Sequence, residues 1–165
     1  DILEKEYLGE RQSQAFIFGA EAGDERLNQK IRIKYLGYLS ERQMVELFHD
    51  TDIYVMPSLD DNLPGTIMES LACGTPVVAF NTGGIPDMIC HKKNGYLAEY
   101  NNSEDLAKGI FWVMTHNESN ALGEFGRKHI INYFSEKIVA ERYMELFDQL
   151  TSEGKENDKY SASGL

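Results

Sequence analysis

Residues 52–80 read DIYVMPSLDDNLPGTIMESLACGTPVVAF, and this stretch decides the fold. Its first seven residues and the run Pro76–Phe80 are short, apolar and rich in β-branched residues, which is typical of strands buried within a sheet. The segment between them, from Leu63 to Cys73, has the pattern of a helix. Pro64 lies in its first turn, where a missing N–H costs no hydrogen bond, and Gly74 is placed to end it. This order predicts a βαβ unit with two parallel strands.

Further strands and helices are predicted upstream of this unit. Two apolar runs closed by glycine, Ala15–Gly19 and Ile31–Gly37, have the length and composition of strands. The charged stretch between them, from Glu21 to Lys30, is compatible with a helix. Ser40 and Gln43 have the spacing of a capping box, so a helix is predicted to begin directly after Ser40.

Downstream, one last strand is predicted, and only helices follow it. Asp87–Cys90 is predicted as a short helical turn and Asn94–Ala98 as a turn leading into a last strand. Ser103 is the predicted N-cap of a following helix, a second helix is predicted from about Ser119 to Tyr133, and Ser135 is the predicted N-cap of a third. The repeated alternation predicts an α/β fold, a doubly wound parallel sheet covered by helices on both faces.

The chain has the length and composition of one globular domain. Its 165 residues are enough to bury a core, and 42% of them are hydrophobic and 11% aromatic. The domain is predicted over residues 1–150, with the polar residues 151–165 as a disordered tail. Asp1–Leu8 has a helical rhythm with no cap and no preceding strand, so the domain is predicted to be truncated, with the first strand of the sheet missing.

The net charge and the spacing of potential metal ligands argue against nucleic-acid binding and metal binding. A net charge of −11 argues against nucleic acid as a partner, because phosphate backbones are bound mainly through clustered Lys and Arg. Cys73 and Cys90 lack the CxxC spacing of a metal site, and no metal or cofactor is expected. The histidines, none with an acid or thiol at ligand spacing, are predicted surface residues: His49, His91, His116 and His129.

Targeting signals are not evident in the sequence. No window offers the about eighteen apolar residues of a transmembrane helix, and no basic start precedes an apolar run as in a signal peptide. The sequence therefore predicts a cytoplasmic protein. Peripheral association with the inner face of a membrane is compatible with this prediction.

The loop and helix from Pro57 to Glu69 carry the candidate chemistry. Ligands of such sheets bind beyond the carboxyl ends of the strands, where this loop is expected. The first N–H groups of the helix lack intrahelical acceptors, which favours a diphosphate there, and Gly65 has no side chain to keep it away. Glu69 is four residues further on, hence on the same helix face, where a carboxylate suits the vicinal hydroxyls of a ribose. Asp61 could accept hydrogen bonds from a sugar attached beyond the phosphates.

Structural explanations compete with these assignments. Acids near a helix start often act only as partners of the helix dipole, and Asp61 or Asn62 could be an N-cap. Taken alone, Asp60 and Asp61 favour that structural explanation. Gly83-Gly84 is interpreted as a turn that needs positive φ, and Asn94-Gly95 as an ordinary tight turn.

Motifs along most of the chain share order and spacing with a known family. An acid is followed, after seven residues, by Glu69. The other matching motifs are Phe18-Gly19, Gly37-Tyr38, Pro57-Ser58-Leu59, Ala72–Val78, Gly83–Asp87, Asn94–Leu97, Ser103–Ala107 and Phe134-Ser135. Over roughly residues 14–150, the chain resembles the group 1 glycosyltransferases, classification family four.

The resemblance implies the GT-B architecture, in which two Rossmann-like domains face each other across a cleft. It identifies this chain with the C-terminal half, which holds the nucleotide-sugar donor. Such enzymes transfer a sugar with retention of configuration and need no metal. The implied parent enzyme moves a sugar to a glycan or lipid-linked acceptor, most naturally in polysaccharide biosynthesis.

The family's E-x7-E motif contacts the donor, and its two positions are Asp61 and Glu69 here. The resemblance implies that Asp61 meets the sugar and Glu69 the ribose. Because Asp is one methylene shorter than Glu, Asp61 either reaches a different hydroxyl, acts through water, or is replaced by Asp60. No residue is assigned as catalytic. The other implied donor contacts are the amides of Leu63, Gly65 and Thr66 at the diphosphate, Tyr38 and Leu39 at the base, and Gly19 on the pocket floor.

In the family, an acceptor-binding domain and an Arg/Lys-bearing loop precede this region. Without them, the isolated chain is predicted to bind donor weakly and to transfer no sugar. Two alternatives from other classes stay open. One is a nucleotide-sugar epimerase of the same architecture, and the other is a non-catalytic α/β binding module.

Overall fold

The computed structural model describes residues 2–8, 12–21, 26–28, 31–117 and 119–161. These residues form an α/β fold with helices alone after the last strand. The strands are β1 (Ser13–Phe18), β2 (Arg26–Asn28), β3 (Ile31–Gly37), β4 (Tyr54–Met56), β5 (Val77–Phe80) and β6 (Gly95–Ala98). The helices are α1 (Glu41–His49), α2 (Gly65–Cys73), α3 (Ile85–Met88), α4 (Ser103–His116), α5 (Ala121–Phe134) and α6 (Glu136–Ser161). The strands make two three-stranded sheets, ordered β1-β3-β2 and β4-β5-β6.

The sheet of β4, β5 and β6 contains the predicted βαβ unit. Both neighbouring pairs are parallel, with Tyr54 opposite Val77 and Val77 opposite Gly95. Helix α2 connects β4 to β5, and Gly74 follows its last residue with a φ of +86°, in the left-handed region. The predicted parallel strands, crossover helix and glycine stop are therefore confirmed.

The other sheet differs from the prediction at one edge. β1 and β3 are parallel, beginning with Ser13 opposite Ile31, whereas β2 runs antiparallel to β3. The helix allowed between Glu21 and Lys30 is wrong for Arg26–Asn28, because these residues pair with the edge of β3. Backbone pairing with a neighbouring strand here overrides the helical composition. Residues 22–25 and 29–30 lie outside the described residues.

The helix starts follow side-chain capping. Ser40 caps α1 in a complete capping box, as predicted. The N-cap of α4 is Asn102 and not Ser103, which is the first helical residue. The side-chain oxygen of Asn102 accepts hydrogen bonds from the N–H groups of Glu104 at 3.1 Å and Asp105 at 3.0 Å. Asparagine and serine are both good caps, and the hydrogen bonds that the Asn102 side chain accepts make it the cap here.

Helix α3 begins two residues before the predicted turn Asp87–Cys90. The N–H of Cys90 donates to the side-chain oxygen of Asn94 at 2.8 Å instead of to a helical carbonyl. The chain therefore leaves the helix at Ile89, whose φ of −103° and ψ of 108° are extended.

Helix α6 extends past the predicted end of the domain. It follows Ser135, whose carbonyl accepts from the N–H of Val139 at 3.0 Å. The tail predicted as disordered is helical over residues 151–161, and residues 162–165 lie outside the described ones. No proline follows Pro86, and Lys and Glu are good helix formers. Among the described helices, none has the length and apolarity to cross a bilayer.

The described start of the chain is helical, as its rhythm predicts. A π-helical segment, Leu3–Tyr7, precedes the buried Leu8. The ring of Tyr7 lies 5.2 Å from that of Phe111, so the segment packs on α4.

Strand β5 lies at the centre of the core, with apolar side chains packed on both faces. Val77 and Ala79 belong to one buried cluster, which includes residues of α2 and α3. Val78 and Phe80 alternate with them and belong to a second cluster, packed against α4. Each buried Val or Phe side chain contributes about 1.5–3 kcal/mol, so the two clusters fix β5 and the loops at its ends. The prediction of a sheet covered on both faces is confirmed.

Candidate functional site

The start of α2 presents uncapped N–H groups. Pro64 is the residue before the helix, with an extended ψ of 117°, and no side chain among the described residues caps the helix start. Pro64 therefore precedes the first turn instead of lying in it, and the alternative that Asp61 or Asn62 is the N-cap is wrong. The N–H groups of Gly65 and Thr66 are left facing the loop, together with the positive end of the helix dipole. This end of α2 has the properties of an anion site.

Two carboxylates flank that helix end. Asp61 is half-buried in the loop, and Glu69 is exposed one turn into the helix. A methyl group at Gly65 would lie 3.9 Å from Oε1 of Glu69, so this carboxylate reaches back toward the first turn. The predicted placement of Gly65 and Glu69 on one helix face agrees with this geometry.

The hydroxyl of Tyr54 lies beneath the same helix end. It donates a hydrogen bond to Oγ1 of Thr66 at 3.0 Å. Burial raises the pKa of Tyr54, the hydrogen bond with Thr66 lowers it, and the charges of Glu69 and Asp61 raise it further. Both carboxylates are thus close enough to act on one hydroxyl. Sequence reasoning missed Tyr54, because a tyrosine at the start of a buried strand gives no signal of its own.

The loop after β5 supports the acidic loop directly. The N–H of Gly84 donates to the carbonyl of Asn62 at 2.8 Å. A methyl group at Gly83 would overlap the carbonyl oxygen of Asp61, and one at Gly84 would overlap that of Asn62. The predicted positive φ is present at Gly83, where it is +53°, but close approach is the stronger reason for both glycines. Because β4 and β5 are neighbours and parallel, their carboxyl-end loops must meet, and this was the signal available in the sequence.

The remaining predicted residues lie at the carboxyl ends of β1 and β3. Gly19 has a φ of +78° and donates its N–H to the carbonyl of Gly37 at 2.9 Å. Tyr38 is 77% exposed and Leu39 is half-buried. The ring of Phe18, directly before Gly19, stacks on that of Tyr54 at 5.8 Å and so joins this sheet end to the start of α2. A methyl group at Gly19 would meet open space.

Other features of the described residues lie away from this site. A crevice of about 330 Å³ lies at the opposite end of α2 and is lined by Cys73, Gly74, Thr75, Asp52, His49 and Asn117, among others. None of the predicted donor contacts lines it. Within the described residues, no three His, Cys, Asp or Glu side chains are grouped to hold a metal ion.

Comparison with known proteins decides the family. Residues 18–129 match the family model described as glycosyl transferases, group 1. The chain belongs to this family. The match includes the whole of the acidic loop, α2 and the supporting glycine loop.

A curated relative agrees with this assignment, and two solved structures share the fold. An uncharacterized glycosyltransferase of Haemophilus influenzae is 31% identical over 129 residues, covering 73% of this chain and 36% of the relative. The sucrose-phosphate synthase of Thermosynechococcus elongatus has a similar fold, with a TM-score of 0.66 at 24% identity over 73% of this chain and 31% of that one. HepE of Anabaena in complex with UDP-glucose gives a TM-score of 0.62 at 22% identity, covering 72% and 32%. The chain spans about a third of the length of the curated relatives it matches.

Proposed function

We propose that this chain is the donor-binding half of a retaining glycosyltransferase of GT-B architecture. The carrying observation is the uncapped start of α2, flanked by the carboxylates of Asp61 and Glu69. A nucleoside diphosphate sugar has two anionic phosphates between the hydroxyls of its sugar and those of its ribose. This segment has the matching order, with the N–H donors at the start of α2 between the acceptor carboxylates of Asp61 and Glu69. The complex of the fold relative HepE with UDP-glucose supports a donor of this class.

Each predicted contact has a chemical role in this proposal. The diphosphate meets the amides of Leu63, Gly65 and Thr66, and Glu69 accepts hydrogen bonds from the ribose hydroxyls. Asp61 is the candidate contact of the donor sugar, and its backbone is fixed by the glycine loop beneath it. The base lies at the carboxyl ends of the other sheet: Tyr38 and Leu39 border it, and Gly19 lines the pocket floor.

The reaction needs parts beyond this chain. We place the acceptor, a glycan or a lipid-linked sugar, on a preceding N-terminal domain that closes over the donor and excludes water. The isolated chain then binds donor but does not transfer sugar. Polysaccharide assembly in the cytoplasm, at the inner face of the membrane, is the proposed setting, with neither metal nor cofactor in the chemistry.

Nucleotide titration of the chain tests the proposal. UDP, GDP and ADP are added to labelled protein, and amide chemical shifts give the affinity and the location of each nucleotide. The expected result is binding of at least one nucleotide, with shifts centred on residues 61–69. Glu69→Ala should weaken that binding by about tenfold or more, because a hydrogen bond to a charged group contributes about 1.5–3 kcal/mol.

A matched variant controls for loss of charge. Glu46→Ala also removes an exposed glutamate from a helix, and its partner Arg42 is itself exposed, so binding should be unchanged. The native chain should bind the 2′-deoxy form of that nucleotide more weakly than the ribonucleotide, whereas Glu69→Ala should bind the two forms with nearly equal affinity. Equal affinities of the native chain and Glu69→Ala would reject the ribose contact.

A further inference from the structure

Helix α6 carries an apolar stripe that the rest of the described chain leaves uncovered. Its five members, here called the α6 stripe, are between 38% and 58% exposed: Val139, Tyr143, Leu146, Phe147 and Leu150. No described side chain of α6 belongs to either buried cluster of the core. A continuous apolar surface along an exposed helix is typical of an interaction site.

The spacing of the α6 stripe is that of a coiled-coil seam. Its members from Val139 to Leu150, apart from Phe147, are separated by four, three and four residues, which is the alternation of a heptad repeat. Phe147 broadens the seam, and its ring lies 6.3 Å from that of Tyr143. The five side chains occupy an arc of roughly 100° around the helix. Such a seam packs against a helix with the same spacing, so a second copy of α6 is complementary to it.

The acidic residues of α6 lie away from the stripe. On a helical wheel, Glu141, Glu145 and Asp148 are on the opposite side, whereas Arg142 and Gln149 border the seam. Two chains of net charge −11 can therefore approach through their stripes, with these acids separated by more than a screening length of about 8 Å. The acidic side also argues against a membrane surface as the occupant, since helices that lie on membranes carry Lys and Arg there.

The α6 stripe is large enough for a weak dimer. Aromatic side chains bury about 150–250 Å² each when they are fully covered. Because about half of each stripe side chain is exposed, two copies would bury roughly 1,000 Å² in total. This area lies at the lower end of specific interfaces, where complexes are weak and reversible. A dissociation constant of roughly 10–100 μM is expected.

We propose that α6 is a self-association site, at which two copies of this chain pack stripe against stripe around a two-fold axis. Both copies use the same patch, so the assembly closes at the dimer and does not grow into larger oligomers. The inference does not rest on the proposed function, because none of the predicted donor contacts lies on α6.

Sedimentation equilibrium of the chain, over concentrations that span the expected dissociation constant, tests this site. The weight-average mass should rise from that of one chain and level off at that of two. Leu146→Glu should weaken the dimer by about tenfold or more, because it buries an unpaired charge in the seam. Met144→Glu is the matched control: Met144 is 62% exposed on the same helix but lies outside the stripe. Its effect should be less than about threefold, although the added charge is the same.

A charge swap tests whether the two stripes face each other. Leu146→Lys should weaken the dimer as Leu146→Glu does. A mixture of these two variants should associate more tightly than either variant alone, since opposite charges then share one seam. Salt should not weaken the native dimer, because its charged residues lie outside the seam.

Three results would overturn the inference. A native chain that stays monomeric at every concentration would leave the stripe to another occupant, such as an acceptor-binding domain. A mass that continues to rise beyond two chains would show that the stripe binds a different surface of the next copy. Equal weakening by Leu146→Glu and Met144→Glu would place the contact elsewhere. Circular dichroism shows whether each variant is folded, and nucleotide titration of Leu146→Glu keeps these outcomes separate from failure of the donor site.

Discussion

Replacing Gly83 by alanine should destabilise the domain at the point where its two central loops meet. The added methyl group would overlap the carbonyl oxygen of Asp61, and Gly83 has a φ of +53°. A residue with a Cβ loses about 1–2 kcal/mol in the left-handed conformation. Overpacking a close contact costs a further 1–3 kcal/mol or so. The free energy of unfolding should therefore fall by about 2–5 kcal/mol, out of the roughly 5–15 kcal/mol typical of a domain.

Gly74→Ala is the matched control for this variant. Gly74 also has a positive φ, +86°, but a methyl group there would lie 3.9 Å from the carbonyl oxygen of Gly123, an ordinary contact. Only the conformational cost of about 1–2 kcal/mol is expected. Urea denaturation followed by circular dichroism gives both values, provided that the slope with denaturant is shared. Equal losses in the two variants would refute the conclusion that the Gly83 loop presses against the acidic loop.

Further predictions concern the cap of α4 and the pKa of His91. Asn102→Ala should lower the free energy of unfolding by about 1 kcal/mol in the same denaturation assay, because Asn102 is the cap of α4. Ser103→Ala should lower it by less than about 0.5 kcal/mol. A larger loss for Ser103→Ala than for Asn102→Ala would show that the serine is the cap. The pKa of His91 is lowered from its ordinary value of 6.5, first by burial and then by the charge of Lys92, whereas the charge of Asp105 opposes this shift. Since the folded state binds this proton less tightly than the unfolded state, stability should fall as the pH decreases below about 6.5, and His91→Asn should reduce that fall; identical pH profiles for the two proteins would contradict the assignment.

Local chemistry made the central part of the fold predictable. The βαβ unit, the stop at Gly74 and the capping box at Ser40 depend on residues close together in sequence, so the pattern contains the information. Asp61, Gly65 and Glu69 belong to one loop and one helix, and their placement around the helix start could be predicted for the same reason. The boundaries that moved, at α3 and α4, were decided by the side chains of Asn94 and Asn102.

Features that depend on distant residues could not be predicted. β2 forms because the edge of β3 is available for pairing, and the sequence of Arg26–Asn28 alone does not predict a strand. The parallel strands predict that the loops of Gly83 and Asp61 lie side by side, but which of their atoms touch is decided only in the folded sheet, as is the hydrogen bond of Tyr54 to Thr66. These contacts orient the groups of the candidate site.

A crystal structure of the chain with a bound nucleoside diphosphate sugar would test the central claim most directly. The account predicts density for the diphosphate within hydrogen-bonding distance of the amides of Gly65 and Thr66, with the ribose against Glu69. The crevice at the other end of α2, lined by Cys73 and Thr75, is an alternative location on the described surface. A nucleotide bound in that crevice, with the start of α2 empty, would contradict the claim.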